Sequence, residues 1–186
     1  MDKYQCLDVG CGTKKQMGAL GIDQFPLLGV DVACDLNITW PLAGHSFDEV
    51  VFNHSINHCK ELLHILTEVQ RVSRDGARIK ILAPHFSSDN IFTDPTVRFF
   101  IGYRTFDYYC HNTSSLYHYY ADMRFQLVRR WIHLYKRNTK SRLEKLINKL
   151  IYPLEFLINH FPRAYEKFFC FILRANEIYI ELQKVD

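Results

Sequence analysis

Residues 7–12 read Leu7-Asp8-Val9-Gly10-Cys11-Gly12, a short apolar run ending in a bend with two glycines and a carboxylate at its mouth. A strand that feeds such a bend brings bare backbone close to a ligand, because no Cβ stands in the way. Two further carboxylates follow strand-like runs. Asp23 comes after Ala19-Leu20-Gly21-Ile22, and Asp35 after Gly29-Val30-Asp31-Val32-Ala33-Cys34. Acids at the ends of successive parallel strands accept hydrogen bonds from ribose hydroxyls and similar groups. The combination predicts a nucleotide-type pocket at the carboxyl edge of a parallel sheet.

Two rival phosphate-binding patterns fail on this stretch. A dinucleotide fingerprint needs a third glycine for close helix packing, and Lys15 stands in that place. A P-loop needs Gly-x-x-x-x-Gly-Lys-Ser/Thr, which does not occur.

The remaining pattern alternates strand and helix signals. Strands are expected at 4–9, 30–34 and 47–52, the last with Asn53 and His54 at its carboxyl end. The crossover at 13–22 is short, so its helix should be stunted. Leu62, Leu63, Ile65, Leu66, Val69 and Val72 repeat at helical spacing, giving a helix over 59–72 that Asp75-Gly76 should close. A strand at 78–83 stops at Pro84, and late strands at 125–135 and 177–182 should form an antiparallel edge. Residues 141–160 predict an amphipathic helix interrupted at Pro153.

Composition sets further bounds. With 186 residues, 48% hydrophobic and 23% charged, the chain should be one globular domain over 1–186. Cysteines 6, 11, 34, 59, 110 and 170 form no Cys-x-x-Cys pair and read as reduced thiols, without a zinc site. No signal-peptide pattern and no apolar run of ~18 residues occurs, so a cytoplasmic protein is expected. Residues 87–121 are rich in aromatics, including Phe92, Phe99, Phe100, Tyr103, Phe106, Tyr108, Tyr109, Tyr117, Tyr119 and Tyr120. They read as a segment covering the substrate, or as plain core.

The net charge of +3 is unevenly placed. Arg124, Arg129, Arg130, Lys136, Arg137, Lys140, Arg142, Lys145 and Lys149 are opposed only by Glu144. Such a run favours an anionic partner or forms a solvated helix face. Within the helical insertion at 140–174, Leu146, Ile147, Leu150, Ile151, Leu154 and Ile158 would either pack on the domain or rest on a membrane, peripheral to the inner membrane.

From Leu7 to about Tyr109 the chain resembles small bacterial class I S-adenosylmethionine (SAM)-dependent methyltransferases of the broad type-11 group. The matching pieces are Leu7-Asp8-Val9-Gly10-Cys11-Gly12, Gly21-Ile22-Asp23, Val32-Ala33-Cys34-Asp35-Leu36, Ser46-Phe47-Asp48-Glu49-Val50, His54-Ser55-Ile56-Asn57-His58 and Leu82-Ala83-Pro84-His85-Phe86. Thr93-Asp94-Pro95-Thr96 is similar to members associated with surface-polysaccharide synthesis. The chain departs from the pattern at Asn57, where an acid is common, and in its short first crossover.

The resemblance implies a Rossmann-like α/β fold, a mainly parallel sheet with an antiparallel C-terminal edge, and SAM as cofactor. By carry-over, Gly10, Cys11 and Gly12 would meet the methionine part, and Asp8 would orient its ammonium. Asp23 would bind the ribose, Asp35 and Leu36 would border the adenine (Asp35 could instead cap a turn), and Asn53 and His54 would lie near the sulfonium. For methyl transfer to a hydroxyl, His85 is the first expected general base, then His54, then His58. Asp94, Arg98, Tyr103 and Tyr108 are expected to meet the acceptor. That acceptor would be a small molecule or glycan, neutral or anionic: a sugar hydroxyl of a surface glycan or its lipid-linked precursor. Nucleic acid is not expected, since no Asn-Pro-Pro-Tyr-like motif for a flipped base occurs. Methylation of another small molecule, or SAM binding without catalysis, are the alternatives.

Overall fold

The computed structural model describes residues 5–113, 122–135 and 142–185, apart from the side chains of 143–145 and 148. Residue 4, Tyr117, Tyr119, Tyr120, Lys136, Arg137 and Lys140 therefore lie outside the described residues, as do the side chains of Glu144 and Lys145.

Seven strands form one sheet in the order β3-β2-β1-β4-β5-β7-β6. They are β1 (Cys6–Val9), β2 (Leu20–Asp23), β3 (Val32–Ala33), β4 (Phe47–Asn53), β5 (Ser73–Pro84), β6 (Phe125–His133) and β7 (Glu177–Lys184). β1 through β5 pair in parallel, and β7 inserts antiparallel between β5 and β6. This is the Rossmann-like α/β arrangement with an antiparallel C-terminal edge. Parallel pairing brings the ends of β1, β2, β4 and β5 to one edge. Because β7 runs the other way, its first residue, Glu177, pairs with Pro84 and joins that edge.

Along β4, β5 and β7 buried apolar residues alternate with partly exposed ones such as Glu49, Lys80 and Tyr179, so one face of the sheet carries the core. Leu7, Val9, Ile22, Val50, Phe52, Ile79, Ile81, Ile178, Ile180 and Leu182 are buried. Helix α1 (Leu62–Val72) turns Ile65, Leu66, Val69 and Val72 inward, following the predicted period. It also anchors the loop before β4. Glu68 accepts the Trp40 backbone N–H at 2.7 Å, and Arg71 donates to Glu68 and to the Leu42 and Trp40 carbonyls. Trp40 Nε1 donates in turn to the Leu36 carbonyl, which fixes Leu36 beside the sheet edge.

Several elements differ from expectation: β3 is shorter than 30–34, α1 starts at Leu62 rather than 59, β5 starts at Ser73 rather than 78, and residues 20–22 belong to a strand. Asp75-Gly76 does not close α1, which ends at Val72; the two residues lie inside β5, at a register shift where Gly76 takes φ +81°. After the short α2 (Asp89–Thr93), α3 (Arg142–His160) runs through Pro153, which does not interrupt it. Between β1 and β2 there are only turns, so the crossover expected to be stunted carries no helix.

Candidate functional site

The bend after β1 is fixed by β2. The Ile22 carbonyl accepts both the Gly10 and the Cys11 N–H, and the Asp23 carboxylate accepts the Gly12 N–H at 2.9 Å. Gly10 and Gly12 take φ +68° and +51°, the left-handed region that favours glycine. At Gly10 space is also decisive: a Cβ there would lie 2.4 Å from the Ser55 Cβ. Ser55 holds its place by donating to the Val9 carbonyl at 2.5 Å. Sequence and sterics thus leave an open backbone surface beside the β1 end.

A cavity of about 220 Å³ opens there, lined by Gly10, Asp23, Phe25, Leu36, Asn37, Ser55, Cys59 and others. Asp23 reaches it with its second oxygen bonded to the Phe25 N–H. Beneath the bend lies Asp8, almost fully buried. One of its oxygens accepts the Gln16 N–H at 2.7 Å, and the other has no partner among the described residues. Burial pushes the Asp8 carboxyl above its ordinary range.

A second cavity, of about 440 Å³, is lined by His54, Asn57, His58, Pro84, Asn90, Thr93, Asp94, Val97, Asn176 and Glu177. His54 and His58 line both cavities, so the two meet at a pair of imidazoles. Each imidazole is oriented by a carboxylate. His54 Nε2 lies 3.1 Å from Oε1 of the buried Glu177. His58 Nδ1 lies 2.8 Å from the Thr96 hydroxyl, which donates to Asp94 at 2.6 Å. That hydroxyl and the Thr96 N–H hold the Asp94 carboxyl below its ordinary range. His54 itself sits at φ +55°, a strained conformation for a side-chain-bearing residue and a common mark of functional positions.

Asn57 was singled out by sequence only as a departure from a family pattern. It is fully buried, and neither amide atom of its side chain has a partner among the described residues. Glu177 and Asn176 carry no local signal at all. They reach the site because β7 pairs antiparallel with β5.

Several expected site residues stand elsewhere. His85 does not open into either cavity. It is 0% exposed, its Nδ1 lies 2.8 Å from the Ser87 hydroxyl and its Nε2 3.3 Å from Glu166. The turn 165–169 brings Glu166 over it, so the β5 end is roofed rather than open. Asp35 is exposed and closes a turn by accepting the backbone and side-chain N–H groups of Asn37, which lower its pKa. Leu36 and Asn37 line the first cavity in its place.

Asn53 and Arg98 are exposed and line neither cavity. Arg98 contributes only a backbone N–H, to the Asn57 carbonyl. Tyr103 packs under the Arg130 guanidinium, 4.0 Å from its ring centre, and lines a different hollow of about 1110 Å³ along β6 and β7. The two arginines of that hollow, Arg129 and Arg130, are paired with Glu181 and Asp107. Tyr108 is exposed and lines none of these cavities. Of the four expected acceptor residues, Asp94 alone is at the double cavity.

The cysteines form no disulfide. Burial pushes Cys11 and Cys59 up to about 11, so they stand beside the site as neutral thiols rather than nucleophiles. Among the described residues no group of three or more His, Cys, Asp or Glu could hold a metal ion.

No protein-family profile matches the sequence. No curated protein matches it either. Solved structures do match in fold. A SAM-dependent methyltransferase from Archaeoglobus fulgidus superposes with a TM-score of 0.54 at 16% identity, over 97% of this chain and 86% of that one. The geranyl diphosphate C-methyltransferase from Streptomyces coelicolor, solved with S-adenosyl-L-homocysteine, gives 0.56 at 12% identity, over 99% and 73%. A putative sarcosine dimethylglycine methyltransferase from Galdieria sulphuraria gives 0.54 at 15%, over 100% and 80%. The chain therefore shares the Rossmann-like fold of class I methyltransferases.

Proposed function

We propose that this chain is a SAM-dependent methyltransferase that methylates a sugar hydroxyl, of a surface glycan or its lipid-linked precursor. The observation that carries this reading is the meeting of two cavities at two carboxylate-oriented imidazoles, one cavity beside the glycine bend and the other lined by amides and acids.

The residues present fit the cofactor. The oxygen of buried Asp8 that has no partner among the described residues is an acceptor for a cationic group, directly or through water, and an ammonium there would offset the desolvation that raises its pKa. Gly10 and Gly12 leave bare backbone for the methionine part. Asp23 keeps unused lone pairs for ribose hydroxyls. Leu36 and Asn37 would border the base. When bound, SAM supplies an electrophilic methyl on a sulfonium.

The chain's own residues do the rest. With its Nε2 3.1 Å from the Glu177 carboxylate, His54 would keep its ring proton on Nε2 and leave Nδ1 with the free lone pair. His54 Nδ1 would accept the proton that the acceptor's hydroxyl gives up on methylation. Thr96, donating to Asp94, accepts from His58 Nδ1 and leaves His58 Nε2 free to hold a neighbouring hydroxyl. Asn57, Asn90 and Asn176 offer donors and acceptors matched to a polyhydroxylated ring. Among the described residues no Lys or Arg lines this cavity, which suits a neutral acceptor better than an anionic one. The neighbours' named substrates, a prenyl diphosphate and sarcosine or dimethylglycine, are too different for shared fold to select an acceptor.

The test is transfer of labelled methyl from SAM to sugar nucleotides, lipid-linked sugars and glycan extracts, with amines and nucleic acid as controls. Label in the sugar fractions, lost by about 10²–10⁴-fold in His54→Ala, is expected. SAM binding with no transfer to any acceptor would leave a SAM-binding protein and end the catalytic reading.

A further inference from the structure

Helix α3 is apolar on two sides. Ile151 and Ile158 pack on the core, while buried Glu155 accepts the Leu134 N–H and Asn159 bonds both backbone groups of Ile132. On the outward side, Leu146, Leu150, Leu154 and Leu157 follow one another at spacings of three and four, a single helical stripe that Phe161 extends just past the helix end, and all are exposed. The chain then continues through Phe168, Phe169, Phe171 and Ile172, also exposed, with Leu150 at 70% and Ile172 at 85%. The expected single buried face is thus split: Leu146, Leu150 and Leu154 face out. No helix among the described residues is long and apolar enough to cross a membrane, so this surface does not belong to a span.

Among the described side chains, the exposed charge around the stripe is of one sign. Arg142, Lys149, Arg163, Lys167 and Arg174 are exposed. The described acids of this stretch are withdrawn: Glu155 is buried against His133, and Glu166 accepts the Tyr103 N–H beside His85. An exposed apolar stripe ringed by cations has two natural partners, an anionic lipid surface or a second copy of itself. A second copy docked through this face would set like charges against like. An anionic leaflet complements both features at once.

We infer that the outward side of residues 142–174 seats the protein on an anionic lipid surface, with the stripe entering the headgroup region and the basic side chains meeting lipid phosphates. The seat adjoins the site. Phe171 packs edge-on to Phe86 with ring centres 6.0 Å apart, and the strand that follows brings Asn176 and Glu177 to the second cavity. Exposed Phe92 and Phe100, a ring pair 6.4 Å apart, flank the same cavity through Asn90 and Thr93. Seating itself does not require methyl transfer. If the proposed function holds, it would present a lipid-linked acceptor to that cavity.

The test is co-sedimentation of the full chain with vesicles of phosphatidylcholine alone or mixed with phosphatidylglycerol. Binding to the mixed vesicles is expected, weak on phosphatidylcholine and falling with salt. The double variant Leu150→Asp with Ile172→Asp should bind at least about tenfold more weakly, with an unchanged melting curve. Should that variant fail to fold, Arg163→Glu with Lys167→Glu reads the same surface through its salt-sensitive part. Failure of the wild type to sediment with mixed vesicles, or undiminished binding by folded variants, overturns the inference. A dimer that the apolar substitutions dissociate, without vesicle binding, overturns it in favour of self-association. SAM binding by the same samples distinguishes loss of the seat from failure of the cofactor reading.

Discussion

Gly10 shows how much one residue can determine here. Its φ of +68° and the 2.4 Å approach of Ser55 leave no room for a side chain. Gly10→Ala should cost about 1–3 kcal/mol of stability in urea denaturation and remove SAM binding. Asp8 is a different case, because its raised pKa makes the ionised form a burden on folding. A group whose pKa is raised in the folded state stabilises fully only below its unfolded value, and that contribution is lost as pH rises through the folded value. Asp8→Asn keeps an acceptor for the Gln16 N–H without the charge. At neutral pH it should be at least as stable as the wild type, with the difference vanishing in acid below the ordinary carboxylate range, while SAM affinity falls. His85→Ala should behave in the opposite way. It removes one partner each from Ser87 and Glu166 and empties a fully buried position, so it should lower stability by about 1–3 kcal/mol yet leave turnover within a few-fold. The glycine bend was legible because its physics is local: two φ angles and a missing Cβ. The burial of His85 is not local; nothing near it in sequence announces that Glu166 will cover the end of β5. The same non-locality concealed Glu177, which becomes His54's partner only once β7 is threaded beside β5.

Elements repeat that contrast. The period of α1 was readable because its apolar positions face one sheet, but its end was not. Asp75-Gly76 looks like a helix stop, and a bulge in a long strand uses the same chemistry, since both need a glycine at positive φ. A proline inside a helix such as α3 predicts an interruption, because it lacks an N–H and its ring crowds the preceding turn. The helix carries it on the outward side, where Pro153 is exposed. Pro153→Ala restores a donor within an intact helix and should raise stability by about 1–3 kcal/mol, read as a higher denaturation midpoint at unchanged m-value. The amphipathic pattern of α3 was visible in sequence, but the division of its apolar residues between core and surface was not. Period alone cannot say which of two apolar flanks meets the sheet.

At the scale of the whole molecule, the sheet order decides what can meet. Parallel pairing of β1, β2, β4 and β5 gathers the glycine bend, Asp23 and His54 at one edge, and the antiparallel β7 adds Glu177 from the other end of the chain. The sequence carries this topology in outline through its strand order and its late antiparallel pair. It does not carry the double cavity, which depends on residues 90–97 folding back toward His58. The central claim is that the bend after β1, with Asp8 beneath and Asp23 beside it, binds the sulfonium donor. Calorimetric titration with S-adenosyl-L-homocysteine tests this most directly, on the wild type and on folded Asp8→Asn and Asp23→Ala variants. One-to-one binding that each substitution weakens by about tenfold or more is predicted. Absence of binding heat in the wild type, or affinity that neither substitution alters, would contradict it.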